Sequence, residues 1–260
     1  MVRRAEPVMG TVVTLDVRDV IAAGEIEPAI DAFFATLHDI DQRFSPYRPD
    51  SEISRIADGT LAEVDASPDL RFVLAACDHL AEASGGAFDA RHHRADGRLD
   101  PSGFVKGWAV DEASRHLDDA GIRVYGVNAG GDVTVRGEAV RGRGWLVGIQ
   151  HPAVRDRIVA RLEVASGAVA TSGLYERAGH IRDPRTGRSP DELRSLTVVG
   201  PELTWADAYA TAAFTMGLDG LAWVERHAGY GAIAVTSDDR LVWSPSARPY
   251  RTDVLSVVSA

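Results

Sequence analysis

Apolar residues recur along the chain with two spacings, one typical of helices and the other of strands. Between positions 26 and 44 they recur every three or four residues, which predicts an amphipathic helix. Ser67-Pro68 is a typical helix start, and the apolar pattern behind it predicts a second helix over 67–85. Further helices are predicted over about 106–117, 205–216 and 218–227.

Shorter apolar runs predict strands in the remaining parts of the chain. These runs lie at 8–17 and near 122–128, 132–136, 145–149, 158–164 and 195–199. A β-hairpin is predicted over 232–243, with its turn at Ser237-Asp238-Asp239. Strands and helices do not alternate regularly, which disfavours a doubly wound parallel sheet. The pattern therefore favours an α+β fold.

Composition agrees with a globular protein. The chain has 260 residues, of which 45% are hydrophobic and 25% are charged. These are ordinary values for a globular protein, so disorder and fibrous architectures are not indicated. A chain of this length can bury a substantial core in one large domain or in two closely associated lobes.

Charge and cysteine content exclude some functions. The formal charge is -10, from 28 basic and 38 acidic residues, and no dense basic stripe occurs. This argues against a binding surface for nucleic acids. A phosphorylated ligand would need local backbone N–H groups, one or two cations, or a metal. The single cysteine, Cys77, excludes an intrachain disulfide, and its place in the second predicted helix indicates a core position.

Polar clusters that contain glycine are unusually frequent. They are GGAFD at 85–89, NAGGD at 128–132, ATSG at 170–173 and HIRDPRTG at 180–187. Glycine allows backbone amides to approach a ligand closely, while nearby hydroxyls and carboxylates supply directed hydrogen bonds. Each cluster alone is typical of an ordinary turn. Ordinary turns, however, need fewer such special residues than the clusters contain together.

Together with further blocks, these clusters carry a family resemblance. The blocks are, in chain order, MGT (9–11), FSPYRPDSEIS (44–54), GGAFD (85–89), LDPSGFVKGWAVD (99–111), VNAGGD (127–132), VATSG with YER (169–173 and 175–177), HIRDPRTG (180–187) and ADAYATA (206–212). In this order the chain resembles the ApbE family of FAD:protein FMN transferases. The resemblance spans most of the chain, whereas a single block such as MGT would be weak evidence.

The resemblance implies a fold and an activity. The fold would be an α+β domain over residues 1–260, with mixed sheets flanked by helices in two closely associated lobes. The activity would be a Mg²⁺-dependent transfer of FMN from FAD to a threonine or serine hydroxyl of an acceptor protein, with release of AMP. The implied partners are therefore FAD and an acceptor protein, without nucleic acid.

The resemblance also implies which residues bind FAD. The implied set is Met9, Tyr47, Ala87, Phe88, Asp89, Asp100, Lys106, His180 and Ile181. A flavin ring needs apolar faces and a few polar edges, and Lys106 would offer a cation to a phosphate. Alternatives remain for three of them: Tyr47 as an aromatic residue of a surface loop, Met9 as a core residue of a strand, and Lys106 as a solvated helix residue.

A magnesium site is predicted on the helix over 205–216. Asp207 and Thr211 stand four residues apart and therefore project from one helix face. Carboxylate and hydroxyl oxygens are ligands suited to Mg²⁺, which commonly bridges substrate phosphates. The resemblance adds the backbone carbonyl of Gly103. The alternative is that Asp207 only complements the dipole at the start of its helix.

His180 and Asp183 are the candidate catalytic residues. A neutral imidazole at His180 can accept the proton of an incoming hydroxyl, and Asp183 would orient the ring. Alternatively, the two residues form a hydrogen-bonded loop pair before Pro184. Two other functions stay open at this point: a Mg²⁺-dependent FAD pyrophosphatase that gives FMN and AMP, and a non-catalytic FAD-binding protein.

Targeting signals are not evident in the sequence. Glu6, Pro7 and Gly10 interrupt the start of the chain, and no apolar run approaches the roughly 18 residues needed to cross a bilayer. The direct expectation is a protein without a membrane segment that resides in the cytoplasm. Exported members of the family that it resembles make a periplasmic or cell-surface location the alternative.

Overall fold

Backbone hydrogen bonds join the strands into one large sheet and one small ribbon. The computed structural model describes residues 1–19, 23–92, 97–173, 183–188 and 190–252. The strands are β1 (Val2–Val8), β2 (Thr11–Val17), β3 (Tyr125–Ala129), β4 (Asp132–Arg136), β5 (Trp145–His151), β6 (Val154–Val164), β7 (Gly167–Gly173), β8 (Leu193–Gly200), β9 (Gly231–Thr236) and β10 (Leu241–Trp243). The eight-stranded sheet has the order β1-β2-β3-β4-β7-β8-β9-β10, and β5 pairs with β6. All of these pairs are antiparallel.

Serine residues begin two of the helices. The helices are α1 (Ala23–Phe44), α2 (Glu52–Ala57), α3 (Pro68–Ala83), α4 (Ser102–Asp119), α5 (Leu203–Thr215) and α6 (Asp219–Val224). The Ser67 hydroxyl accepts a hydrogen bond from the backbone N–H of Leu70 at 3.3 Å, and Pro68 occupies the first turn of α3. Ser51 caps α2 in the same way, through the N–H of Ser54 at 3.0 Å. These bonds satisfy N–H groups that have no partner inside the helix.

The large sheet separates two hydrophobic layers. Alternate residues of a strand point to opposite faces. On β7, Ala168 and Ala170 pack in the layer that contains the helices, whereas Val169 packs with the β5–β6 ribbon. The helical layer buries large side chains such as Phe33, Phe104 and Phe214. The helices thus cover one face of the sheet and the ribbon covers the other.

The α+β class predicted from the pattern is confirmed, and most predicted elements are present. Strand β4 has the predicted bounds, and the hairpin predicted over 232–243 is formed by β9 and β10. The prediction of one strand over 8–17 is wrong, because the chain turns at Met9 and Gly10 between β1 and β2. Both turn residues have positive φ, +55° and +70°, a conformation that glycine adopts easily and methionine rarely does.

Two other local expectations differ from the structure. The cluster at 170–173 is not a turn but the end of strand β7. Helix α4 begins at Ser102 rather than near position 106. The prediction placed its start too late because Gly103 and Gly107 stand where a buried helix face usually shows apolar residues. Both glycines contact another helix, as described below. Helix α2 was not predicted, since its single cap and short length leave little periodicity to detect.

Cys77 has the predicted core position. It lies on the buried face of α3 with Val73 and Leu80. Burial raises the pKa of the Cys77 thiol to about 12. The thiol is therefore protonated at neutral pH and serves as a small hydrophobic group.

Candidate active site

Three chain segments meet at one end of the large sheet. The turn at Met9 and Gly10 precedes β2, which pairs with β3 so that Val13 faces Ala129. The turn between β3 and β4 follows directly at this end. Strand β7 runs antiparallel to β4 and brings its last residues to the same place. Sheet register therefore assembles the blocks at 9–11, 127–132 and 169–173, which are far apart in the sequence.

Glycines allow α4 and α5 to approach each other closely. A Cβ atom on Gly107 would lie 2.5 Å from the carbonyl oxygen of Leu203 and 3.1 Å from Cβ of Asp207. A Cβ atom on Gly103 would lie 3.6 Å from Oγ1 of Thr211. The spacing of Asp207 and Thr211 on one helix face is confirmed by the α5 helix. The structure thus brings Gly103, Asp207 and Thr211 together where the two helices cross.

The opposite face of α5 anchors the helix in an aromatic cluster. Tyr209 lies between the two candidate ligands in sequence, and its ring centroid is 5.4 Å from that of Trp223 and 5.0 Å from that of Tyr230. The imidazole of His227 packs against Tyr209 at 4.2 Å. Burial lowers the pKa of His227, which keeps this ring neutral. Packing on this face orients Asp207 and Thr211 towards α4.

Charged groups are concentrated beside the helix crossing. Asp207 is 5% exposed, although it is ionisable. The Lys106 Nζ atom lies 3.7 Å from Oδ1 of Asp207 and also forms an ion pair with Oδ2 of Asp132. Asp132 is 2% exposed. Buried carboxylates require compensation, and the lysine ammonium supplies part of it.

Neutral oxygen atoms complete this region. The hydroxyl of Thr211 lies 3.2 Å from the hydroxyl of Ser172, at the end of β7. Ser172 was not singled out from the sequence, although it lies in the ATSG block. The region is therefore rich in hard oxygen donors.

The donor set fits a magnesium ion. Asp207 and Thr211 offer a carboxylate and a hydroxyl, and the Gly103 backbone lies beside Thr211. Within the described parts of the chain, no group of three or more His, Cys, Asp or Glu side chains is placed to hold a metal. Mg²⁺ does not need such a cage, since it commonly uses one or two carboxylates together with waters and substrate phosphates. The residues present suit that mode of binding.

The GGAFD turn lies directly beside the helix crossing. Ala87 and Phe88 are buried, and a Cβ atom on Gly103 would lie 3.2 Å from Cε2 of Phe88. The Ala87 carbonyl accepts a hydrogen bond at 2.8 Å from the hydroxyl of Thr215, in the last turn of α5. An apolar wall therefore adjoins the oxygen-rich region. A flavin site would require both kinds of surface.

Asp89 and Asp100 are held by the loop that follows this turn. The Asp89 carboxylate accepts hydrogen bonds from the N–H groups of Arg91 and His92 and contacts the His92 ring at 2.9 Å. Burial opposes ionisation of Asp89, but the bonds from His92 and Arg91 outweigh it and lower its pKa. Asp100 accepts from the N–H and hydroxyl of Ser102 and so stabilises the start of α4.

Met9 and Tyr47 have different surroundings. Met9 is partly buried and packs against the main core from its turn. Tyr47 is 69% exposed in the loop after α1. Met9 lies in a turn, not in a strand. Tyr47 lies in a surface loop, as the alternative to a flavin contact predicts. Flavin contacts by both residues stay predictions.

Asp183 is engaged by Arg185. Its carboxylate accepts hydrogen bonds from the Arg185 side chain at 2.8 and 3.0 Å and from the Arg185 backbone N–H at 2.9 Å. Burial would raise the pKa of Asp183, but these bonds outweigh it and lower the pKa. His180 and Ile181 lie outside the described residues. The pairing of His180 with Asp183 therefore stays a prediction.

Arg185 connects this segment to the rest of the site. Its guanidinium donates to the Thr215 carbonyl at 3.2 Å, and its Cγ atom would lie 3.5 Å from a Cβ atom on Gly86. The part of the HIRDPRTG block that the structure describes, residues 183–187, thereby reaches the end of α5 and the GGAFD turn. Neither Arg185 nor Asp132 was identified individually from the sequence, although both lie inside recognised blocks. Their roles depend on contacts with distant residues.

The fold and the site together define an α+β protein whose buried acidic and hydroxyl oxygens, with one lysine, adjoin an apolar turn at a sheet end. The ApbE family model matches residues 9–95 and 90–234. The chain belongs to the ApbE family.

Named relatives agree with this assignment. The chain is 34% identical over 152 residues to the FAD:protein FMN transferase of Vibrio cholerae. The matched region covers 54% of this chain and 46% of that protein. The corresponding Salmonella typhimurium protein is 31% identical over 150 residues, 54% of this chain and 43% of that protein. These matches thus span less than half the length of the two relatives. A Haemophilus influenzae protein of the same name is 24% identical and matches over 71% of both chains.

Solved structures show the same fold. The ApbE protein of Thermotoga maritima has a TM-score of 0.85 and 23% identity, with 97% of this chain and 99% of that chain covered. The flavin transferase ApbE from Vibrio cholerae has a TM-score of 0.83 and 26% identity, with 96% and 98% covered. The expected ApbE-like α+β fold is confirmed by these similarities.

Proposed function

We propose that this protein is an FAD:protein FMN transferase, which moves FMN from FAD to a threonine or serine hydroxyl of an acceptor protein. The observation that carries this proposal is the meeting of Gly103, Asp207 and Thr211 beside Lys106 and the buried turn at Ala87. This arrangement offers oxygen ligands, a cation and an apolar wall in one place. The names of the relatives support the same activity.

FAD would bind across the helix crossing. Its pyrophosphate would lie beside Lys106, whose ammonium meets the phosphate charge, and its flavin would lie towards Ala87, Phe88 and Asp89. Gly103, Asp207 and Thr211 would hold Mg²⁺ through their oxygen atoms. When bound, Mg²⁺ supplies charge neutralisation at the pyrophosphate and polarises its phosphorus–oxygen bonds. This explains how an acidic protein could bind a dinucleotide without a basic patch.

The reaction is a phosphoryl transfer in which positions and charges are prearranged. The acceptor hydroxyl gives its proton to the His180 imidazole, and its oxygen forms a bond to the FMN phosphorus. The bond between that phosphorus and the bridging oxygen of the pyrophosphate breaks, and AMP leaves with the bridging oxygen. Exclusion of water from the site directs the FMN group to the acceptor rather than to hydrolysis.

The acceptor and the compartment belong to the proposal as well. A protein with an exposed threonine or serine after a short acidic stretch of small residues is the expected acceptor. No helix in the part of the chain that the structure describes combines the length and apolarity needed to cross a bilayer. A cytoplasmic location and a single domain over 1–260 stay predictions.

A direct assay tests the transferase proposal. Purified protein is mixed with FAD, Mg²⁺ and a candidate acceptor, and intact-mass spectrometry follows the acceptor. The expected result is a covalent FMN adduct on a threonine or serine, with one AMP released per adduct. Free FMN and AMP with an unmodified acceptor would instead establish a pyrophosphatase. Tight retention of FAD without turnover in Mg²⁺ would establish a flavin-binding protein.

The His180→Ala variant tests the assignment of the base. We expect the transfer rate to fall by about 10²-fold or more, because general base catalysis commonly contributes that much. FAD affinity, measured by fluorescence quenching, should change much less. The matched control is His79→Ala, since His79 is exposed on α3. Equal losses of FAD affinity and rate would assign His180 to binding instead.

A further inference from the structure

Lys106 lies between two buried carboxylates of different origin. Asp207 belongs to α5, and Asp132 begins β4. The Lys106 ammonium pairs with Oδ2 of Asp132 and lies farther from Asp207, at 3.7 Å from its Oδ1 atom. These three side chains carry two negative charges and one positive charge. Their sum is one negative charge, located where a divalent cation would bind.

Asp132 is rigidly placed. Its Oδ1 atom accepts a hydrogen bond from the backbone N–H of Thr171 at 2.9 Å, so the carboxylate bridges β4 to β7. Its backbone pairs with Ala129 at the first position of the β3–β4 hairpin. With Oδ1 held by the sheet, Oδ2 is directed at Lys106. Asp132 therefore provides a fixed anchor for a flexible side chain.

Lys106 is also constrained at its backbone. It lies on α4 between Gly103 and Gly107, the two residues that bring α4 against α5. The lysine stem can direct its ammonium to either neighbouring carboxylate, and a tethered cation competes with a metal ion for the same oxygen atoms. The position of Lys106 therefore influences how readily Asp207 can accept a divalent cation.

We infer that Asp132 is a positioning residue, which draws the Lys106 ammonium aside so that Asp207 can ligate a divalent cation. The inference rests on the proposed metal site at Asp207. With Asp132 present, binding of a divalent cation changes the summed charge of Asp132, Asp207 and Lys106 from one negative to one positive. A site with net positive charge suits the negatively charged pyrophosphate. Without the charge of Asp132, the Lys106 ammonium is left beside Asp207, and the metal must displace it from there.

Divalent-cation affinity tests this inference without reference to turnover. Mn²⁺ serves as the probe, and its binding to the FAD-free protein is measured by electron paramagnetic resonance and calorimetry. Asp132→Asn, which keeps the acceptor for Thr171, should weaken Mn²⁺ binding by about 10-fold or more, because the Lys106 ammonium then competes with the ion for Asp207. Lys106→Met should tighten it. The double variant should return to within about threefold of the unmodified protein.

The double variant separates positioning from a merely structural role. If Asp132 only stabilises the sheet, Lys106→Met does not restore Mn²⁺ binding to Asp132→Asn, and the inference is overturned. If Asp132→Asn fails to fold, the Lys106→Met variant by itself tests the inference. Mn²⁺ binding by Lys106→Met that is unchanged or weaker than in the unmodified protein contradicts the inference.

Asp207→Asn distinguishes this inference from the proposed function. It should remove the Mn²⁺ site in all backgrounds. If Mn²⁺ binding survives this change, the metal assignment fails and the inference fails with it. If Mn²⁺ binding depends on Asp207 but Lys106→Met gives no rescue, only the positioning role of Asp132 fails.

Discussion

Replacing Asp207 with asparagine is expected to lower Mg²⁺-dependent FMN transfer by about 10²–10³-fold, in the range found when a group that stabilises transition-state charge is removed. Asparagine has nearly the same size, so the packing of α5 against α4 should persist. What is lost is the negative charge that would bind the cation beside Thr211. Circular dichroism and thermal unfolding should show a folded protein.

The matched control for this change is Asp119→Asn. Asp119 is exposed at the end of α4, on the helix that faces α5. Its replacement removes the same charge from the protein without altering the helix crossing, so transfer should be unchanged. Full Mg²⁺-dependent turnover in Asp207→Asn would remove the metal assignment. A residual rate that no longer responds to Mg²⁺ would support it.

Adding one methyl group at Gly107 is expected to damage both stability and the site. The new Cβ atom of Gly107→Ala would lie 2.5 Å from the backbone oxygen of Leu203, and backbone atoms there must move apart. Overpacking of this kind costs about 1–3 kcal/mol, which exceeds the roughly 1 kcal/mol that alanine gains over glycine in a helix. The free energy of unfolding should therefore fall. FAD binding should weaken too, because separation of α4 from α5 moves Asp207 away from Gly103.

Urea unfolding and FAD titration measure these two effects. Gly24→Ala is the matched control, since Gly24 lies in the first turn of α1 and a Cβ atom there meets no atom within 4 Å. That change should leave stability unchanged or raise it by up to about 1 kcal/mol, because alanine favours the helix. If Gly107→Ala were as stable as the control and bound FAD normally, the close approach of the helices would not be needed.

The outcomes for individual elements show why some predictions succeeded. Helix α3 was predicted well because its cap, its proline and its apolar face are adjacent in the sequence. The single strand over 8–17 was wrong because β-branched residues continue on both sides of the turn, and only Gly10 indicated it. The start of α4 was misplaced because glycine has low helix propensity, whereas here it serves the contact with α5.

The candidate site was predictable as a set of residue types but not as an arrangement. Asp207 and Thr211 could be placed together because four residues span about one helical turn. Asp132 could not be connected to Lys106 from spacing alone, since the remainder of α4 and strand β3 lie between them in the chain. Arg185 likewise acquires its role through contacts with Thr215 and the turn at Gly86.

By itself the sequence determined the α+β class, most of the helices and strands, the family and the residue types available for chemistry. These properties depend on local periodicity, on caps and on the order of motifs, all of which are encoded in neighbouring residues. Tertiary structure alone decided that β1, β3 and β7 finish at the same end of the large sheet. It also decided that Lys106 lies between Asp132 and Asp207. The physical reason is that sheet register and the close approach of two helices join residues whose separation in the chain contains no information about their distance.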